Sequence, residues 1–497
     1  MTMAIVAISC PVRSRFGVSL PLLLGVLVYT KVILSGGVVI HDTDPYWHIA
    51  IGHWIIAHHA VPLHDVFSFS MAEAPWDPPE WLSEIVMAWL FDTFGWPGLV
   101  VATGLSIAAA VMMLLRALLR TLPPVIATIG AVLAWGTSLS FIVARPHIFT
   151  LPILVAWAVG LVSARSRDRA PSPRLALLMT LWVNVHPSYI LGLGLAALFA
   201  GEAIVLAPDW RSRVRAARGW RLFGALAILA ALITPYGVDG LLLPFKLTDM
   251  SFTSAILMEW QSPNFQRVEP LELWLTLLLF AGLTLGWRLP PIRIGVVLLL
   301  LHMALKHARY AELVGFVAPL VLAPALAPQL RVRSGDSPAA PIDRGMAELA
   351  KPANATGIAL AGAVLLAVST AGLHGVVIRP TVAAPERALA VAAAHHVEGP
   401  VLNDYGFGGY LMFRGIKPFV DGRFLRYGDA FVRRFFRAMQ VPSDRLPRLL
   451  SEYAITWTLL SPTYPAVMLL DHLPGWRRLY ADDIAVVHVR DDQAVAR

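Results

Sequence analysis

Long apolar runs dominate this chain, interrupted by short clusters of arginine. A membrane-spanning helix needs roughly 20 apolar residues, within a range of about 17–25. Eight runs meet that need: 16–39, 97–116, 124–143, 148–164, 188–207, 271–287, 310–328 and 356–378. Three shorter runs, 174–186, 221–235 and 292–306, complete a predicted set of eleven. The first run follows Arg13 and Arg15, exceeds an ordinary signal-peptide core, and has no A-x-A cleavage pattern after it. It predicts a retained first transmembrane helix.

The arginines orient the set. Arg116 and Arg120, the cluster Arg165 to Arg174, the cluster Arg211 to Arg221, the pair Arg288 and Arg293, and Arg331 to Lys351 all fall between runs. The positive-inside rule places them in the cytoplasm with Arg13 and Arg15. The segment between clusters 165–174 and 211–221 must then cross twice, turning near His186-Pro187-Ser188. Proline disfavours helix at the residue before it, which suits a break there. An odd number of crossings places everything after 378 outside the cytoplasm.

That tail reads differently. Ala384–His396, Ala430–Met439 and Arg445–Tyr453 have helical patterns. Pro400–Asn403, Pro418–Asp421, Ile455–Leu460 and Ile484–Val489 read as strands. The predicted organisation is therefore a polytopic α-helical membrane domain, 1–379, and a soluble extracytoplasmic α/β domain, 380–497. Gln329–Lys351 reads as a Pro/Ser/Ala-rich linker.

Composition agrees. The 497 residues are 57% hydrophobic and only 14% charged, against roughly 25% charged in soluble domains. Lipid must cover much of such a surface. The net charge of +8 is no nucleic-acid signal, because the arginines are spread over loops instead of forming one basic face. A single cysteine, Cys10, excludes an internal disulfide and a Cys-based metal site.

The residues that look chemical all fall on the non-cytoplasmic side of this topology. Asp42 and Asp44 follow the first run; Arg145 and His147 follow the third; His186 sits at the predicted turn. Tyr236, Lys246 and Glu259 lie in the loop after the seventh run, and His302, Lys306 and Arg309 end the ninth. Ionisable groups at the edge of a span are costly and tend to be functional.

Loop 41–96 is the richest stretch. Asp44 before Pro45 suits an N-cap followed by a first helical residue. Asp42 is not explained by capping. Asp44 and His48, four apart, share a helix face. Tyr46–His59 mixes tryptophans with histidines and predicts an amphipathic helix on the membrane surface. Six of the fifteen histidines lie between 41 and 64, but their spacing completes no compact metal site.

These residue types suit sugar transfer from a phosphate leaving group. Inversion needs a base for the acceptor. The leaving phosphate needs cations, or a divalent metal bridging it to a carboxylate. Asp42 and Asp44 supply a base or an oxygen ligand; Arg145, His302, Lys306 and Arg309 supply positive charge.

At these positions the chain resembles the GT-C superfamily of membrane glycosyltransferases. Asp42-Thr43-Asp44 with Tyr46-Trp47-His48 carries the resemblance, together with Ser68-Phe69, Glu80-Trp81-Leu82, Asn184-Val185-His186 and Thr234-Pro235-Tyr236-Gly237. Glu259-Trp260-Gln261-Ser262-Pro263, Lys306-His307-Ala308-Arg309, Asn403-Asp404-Tyr405-Gly406, Gly408-Gly409-Tyr410-Leu411 and Val420-Asp421-Gly422-Arg423 continue it in order. The pattern is most similar to the bacterial branch related to protein mannosyltransferases and lipid A sugar transferases. The resemblance implies an inner-membrane enzyme of about eleven spans. It would use a polyprenyl-phosphate-linked sugar donor and a glycan, lipid or protein acceptor in the envelope. Asp42 or Asp44 would be the base or metal-binding carboxylate. His48, Arg145, His147, His186, Tyr236, Glu259, His302, Lys306 and Arg309 would line the substrate site. No cofactor is required by the pattern; magnesium or manganese is the candidate metal. Phe407-Gly408-Gly409-Tyr410 reads as a tight turn or a close backbone approach, with an acceptor-binding surface as the sharper alternative.

Two rivals remain at this stage. A transporter or flippase would carry internal repeats and midplane charges, and neither is evident in the sequence. A non-catalytic envelope assembly protein would use the tail as a binding module.

Overall fold

The computed structural model describes residues 14–246, 250–334, 341–374, 384–440 and 444–491. Cys10 and Arg13 lie outside these residues, as does the side chain of Lys246. Each of the eleven predicted runs contains a helix. Among the described residues, five helices are long and apolar enough to cross a membrane: Trp81–Leu118, Pro124–Phe141, Pro146–Arg165, Ala308–Leu330 and Ala355–Gly372. Leu20–Leu34, Pro173–Val185, Tyr189–Val205 and Pro270–Leu285 are apolar but shorter. The other two runs correspond to Trp210–Ala231 and Pro291–Lys306. The first of these opens with the arginine cluster.

Helix Trp81–Leu118 is really two helices. Gly95 at φ 64° breaks it just before Pro97, as glycine alone does without steric cost. The part after the break packs on Leu20–Leu34 and Pro146–Arg165 and contributes Leu99, Ile107, Val111 and Leu114 to the main core. The predicted turn at His186 is present. His186 is extended (φ −167°) between Leu177–Val185 and Tyr189–Val205.

The tail holds four strands, β1 (Val401–Asn403), β2 (Trp457–Leu460), β3 (Trp476–Ala481) and β4 (Val486–Arg490), in the order β1-β2-β4-β3. β1 and β2 are parallel, with Leu402 opposite Thr458; the other pairings are antiparallel, with Leu459 opposite Val487. Helices Glu386–Ala394, Phe424–Met439 and Arg445–Glu452 match or extend the predicted ones, and the short helix Pro465–Leu470 is an addition to them.

Four expectations need correction. Pro418–Asp421 is buried but is not a strand. Its backbone groups are taken by a side chain: Asn403 Oδ1 accepts from Phe419 N at 2.7 Å, and Asn403 Nδ2 donates to Val420 O at 2.7 Å. Loop 41–96 takes more, since Phe69 N donates to Pro418 O and Ser70 Oγ to Phe419 O. Second, the Gly408-Gly409 stretch is no turn but lies inside helix Tyr405–Phe413. Glycine is needed there for contact: a Cβ at Gly408 would lie 2.1 Å from Val420 O. Third, the linker after Gln329 is largely helical, through Ala311–Ser334 and Pro341–Leu349; residues 335–340 lie outside the described set. Fourth, β3 was not anticipated, because its exposed Arg477 and Arg478 interrupt the apolar alternation.

The helix expected on the membrane surface also differs. It spans Asp44–His58, so Asp44 lies in its first turn and Thr43 takes the cap position. Its buried face packs between helix Trp81–Leu118 and tail helix Tyr405–Phe413. Tyr46, His48, Ile49, Ile51 and Gly52 are buried. At Gly52 a Cβ would meet Glu84 O at 2.1 Å. Such close backbone approach is available only to glycine.

A buried ion cluster fastens the tail to loop 41–96. Arg423, 3% exposed at its side chain, reaches Asp421 at 2.7 Å and Asp65 at 3.2 Å. It also lies over the Trp76 ring, 4.6 Å from the centroid. Tyr427 Oη donates to Asp421 at 2.7 Å, and Ser68 Oγ to Asp65 at 2.7 Å.

Candidate functional site

Five predicted residues from four parts of the chain meet at one end of the helical core. Arg145, the residue before helix Pro146–Arg165, sits at the centre. Its Nε donates to Asp42, Nη2 lies 3.1 Å from Asp44 Oδ2, and Nη1 lies 3.3 Å from Glu259 Oε2. Glu259 Oε1 accepts from Arg309 Nη1 at 3.1 Å, and the Arg309 guanidinium stacks 4.7 Å over Trp260. Two guanidiniums are thus bridged by one carboxylate and flanked by two more. The side chains are 14–31% exposed, so the cluster is open at one side.

The two aspartates differ in character. For Asp42, burial works to raise the pKa, but the Arg145 charge and hydrogen bond and the Asp44 backbone N–H overcome it, holding the carboxyl below its usual range. Asp44 is pushed up to about 7, by burial first, against Arg145, with the Asp42 and Glu259 charges adding to the rise. Two carboxylates beside one guanidinium cannot both keep a low pKa. Asp42 stays ionised, while Asp44 exchanges a proton near neutrality. Glu259 is held low, where Arg309 and Arg145 prevail over burial.

The tail closes over this pair. A Cβ at Gly422 would lie 2.6 Å from Asp44 Oδ1, and one at Gly409 would lie 3.0 Å from Thr43 O. Tyr405 is near enough that, after burial, the Asp44 and Asp42 charges raise its pKa further.

A second cluster adjoins the first. His48 Nδ1 lies 3.4 Å from Glu84 Oε1 and 3.7 Å from Glu80 Oε2, and His186 Nε2 lies 3.2 Å from Glu80 Oε1. His147 stands 6.3 Å from the His186 ring, with Nε2 3.2 Å from Phe141 O. Burial, followed by the Arg309 guanidinium and the neighbouring His147 and His48, lowers His186 well below the usual histidine range. His48 is lowered in the same way, by burial, Arg145 and His147. Glu80 is pushed up to about 8 by burial, opposed by Arg309 and assisted by Asp44.

The remaining predicted residues fall elsewhere. Tyr236 is buried, and burial with the Glu84 and Asp77 charges raises its pKa; it does not join the guanidiniums. His302 and Lys306 are exposed on helix Pro291–Lys306 and take no part in the cluster. The chain leaves that helix at His307, and only the short turn Ala308–Tyr310 brings Arg309 inward. Glu80 enters the sequence pattern only within Glu80-Trp81-Leu82 and Glu84 not at all, although a pair of acids four apart at the mouth of an apolar run carries the same signal as Asp42 and Asp44.

No family model and no curated protein matches the sequence. Solved structures similar to it include the following two. One is the arabinofuranosyltransferase AftD from Mycobacteria, at 15% identity and a TM-score of 0.47, over 97% of this chain and 40% of that one. This chain therefore spans about 40% of the length of that protein. The other is ArnT from Cupriavidus metallidurans bound to undecaprenyl phosphate, at 14% identity and a TM-score of 0.37, over 96% and 99% of the two chains. The chain is similar to both along nearly its whole length.

Proposed function

We propose that this membrane protein is a GT-C-type glycosyltransferase. It would move a sugar from a polyprenyl-phosphate-linked donor to an envelope acceptor on the non-cytoplasmic face of the inner membrane. The observation that carries the reading is the convergence of Asp42, Asp44, Arg145, Glu259 and Arg309 at one partly open site. An acid near neutrality beside a pair of guanidiniums is what base-assisted displacement of a phosphate requires.

The roles divide as follows. Asp44 takes the acceptor proton, because its pKa near 7 is matched to that task. Asp42 stays ionised and orients Arg145. Arg145 and Arg309 receive the donor phosphate, whose oxygens take over the place that Glu259 holds between them. The tail, through Tyr405 and Gly422, forms the wall facing the acceptor.

The test is incubation of purified full-length protein with a panel of labelled polyprenyl-phosphate sugars, following release of the lipid phosphate. Consumption of a donor by the wild type and not by Asp44→Asn supports the reading. Equal consumption by both, or none across the panel with folded protein, overturns it. Asp44→Asn and wild type acting alike in a cell-envelope assay would favour an assembly role.

A further inference from the structure

The cluster behind the aspartates has the composition and spacing of a metal centre. We propose that His48, Glu80, Glu84 and His186 bind one divalent transition-metal ion, zinc by chemistry, at a place separate from the Asp42–Asp44 pair. The ligand atoms of His48, Glu80 and Glu84 all lie within 4.8 Å of one another. Tetrahedral zinc with bonds of about 2.0 Å places its ligand atoms roughly 3.3 Å apart. The contacts here are of that order: His48 Nδ1 lies 3.4 Å from Glu84 Oε1 and 3.7 Å from Glu80 Oε2, while the other Glu80 oxygen, Oε1, lies 3.2 Å from His186 Nε2, which places His186 on the far side of the Glu80 carboxylate.

A second observation points to a missing partner. Glu84 is 1% exposed, and its Oε2 is buried with no hydrogen-bond partner. A buried carboxylate oxygen left unsatisfied is costly. Among the described residues, no lysine or arginine pairs with Glu80 or Glu84; their only ion-pair partners are the two histidines. Two carboxylates offset a divalent ion, and two imidazoles choose among such ions. Imidazole suits zinc, whereas magnesium and calcium take oxygen ligands.

The scaffold is built to hold the four side chains still. Glu80 and Glu84 stand one turn apart at the start of helix Trp81–Leu118. Trp81 Nε1 donates to Asn184 Oδ1 at 2.7 Å, and Ser83 Oγ donates to Val185 O at 2.8 Å. Those bonds fix this helix start against the segment that ends in His186. Gly52 lets the helix bearing His48 approach Glu84 closely. A metal here would clamp three segments one turn below Asp44.

The inference stands without the transferase reading, because its test measures metal and not turnover. Full-length protein, purified without chelators and equilibrated with zinc, is analysed for metal by mass spectrometry and by zinc-edge X-ray absorption. The expected result is one zinc per chain with two imidazoles and oxygen in its shell. His48→Gln and Glu84→Gln should each lower the content at least fivefold, and His302→Ala, an exposed histidine elsewhere, should leave it unchanged. Monodisperse wild-type protein that retains no zinc overturns the proposal. So does bound zinc without imidazole in its shell, a result that needs no variant to fold.

Discussion

Gly422 of the tail sits against Asp44 so closely that a Cβ there would lie 2.6 Å from the carboxylate oxygen. The same Cβ would meet Trp47 Nε1 at 3.0 Å. Gly422→Ala must therefore rotate the aspartate or push the tail outward. Displacing a reacting group by about 1 Å can cost about a hundredfold in rate. The expected outcome is a fall of that order in kcat for donor consumption, with KM for the donor little changed. Thermal unfolding in detergent should move little, because the strain falls on one side chain.

The acid–base assignment has a pH signature. Asp44 acts as base only when ionised, so activity should rise with pH through about 7 and level off above it. Asp42→Asn removes a negative charge that helps raise Asp44. The rising limb should therefore move to lower pH, although the rate itself falls because Arg145 loses a partner. Asp44→Asn should abolish the limb and lower the rate by about 10²–10⁴-fold. Rate–pH profiles of the three proteins on one donor check this.

Glu259 bridges Arg145 and Arg309 where the donor phosphate is proposed to bind. Glu259→Gln keeps the shape and removes the competing charge. Binding of a polyprenyl phosphate should tighten about tenfold, the size of one charge-assisted hydrogen bond. Arg309→Gln should weaken it by a similar factor. Titration of lipid-reconstituted protein distinguishes the two directions. A weakening with both variants would show that Glu259 holds the guanidiniums in place instead of competing for them.

Arg423 is the cation between the buried Asp65 and Asp421. Arg423→Met leaves both carboxylates buried together and should cost about 3–5 kcal/mol. Lowered thermal stability and protease cleavage between loop 41–96 and the tail are the expected readouts. The double variant Asp421→Asn, Arg423→Met should recover part of the loss, because one buried charge goes with its partner.

Much of this arrangement was legible in the sequence. Apolar run length located eleven helical segments, and Asp42, Asp44, Arg145, Glu259 and Arg309 converge as their placement on one side of those segments implied. What was missed depends on contacts between distant segments. His302 and Lys306 looked equivalent to Arg309, but the chain turns at His307 and leaves them facing outward. Pro418–Asp421 alternates like a strand, yet the side chain of Asn403 captures the backbone that a neighbouring strand would have used. The helix at Asp44 looked like a surface element because the tail that covers it lies more than 300 residues away in sequence. The pairing of Glu80 and Glu84 with histidines is not legible in the sequence, because the histidines opposite them come from two other segments.

The break at Gly95 divides labour along a single helix. The stretch before it carries Glu84 and abuts Asp44–His58; the stretch after it is woven into the apolar core. A substitution such as Gly95→Ala, strained at φ 64°, would change the angle of this joint, while Pro97 still keeps the two stretches from running on as one straight helix. The apolar stretch would then impose a new angle on the stretch that carries Glu84. As built, the joint lets the segment bearing Glu84 take its own direction, independent of the apolar helix that follows it.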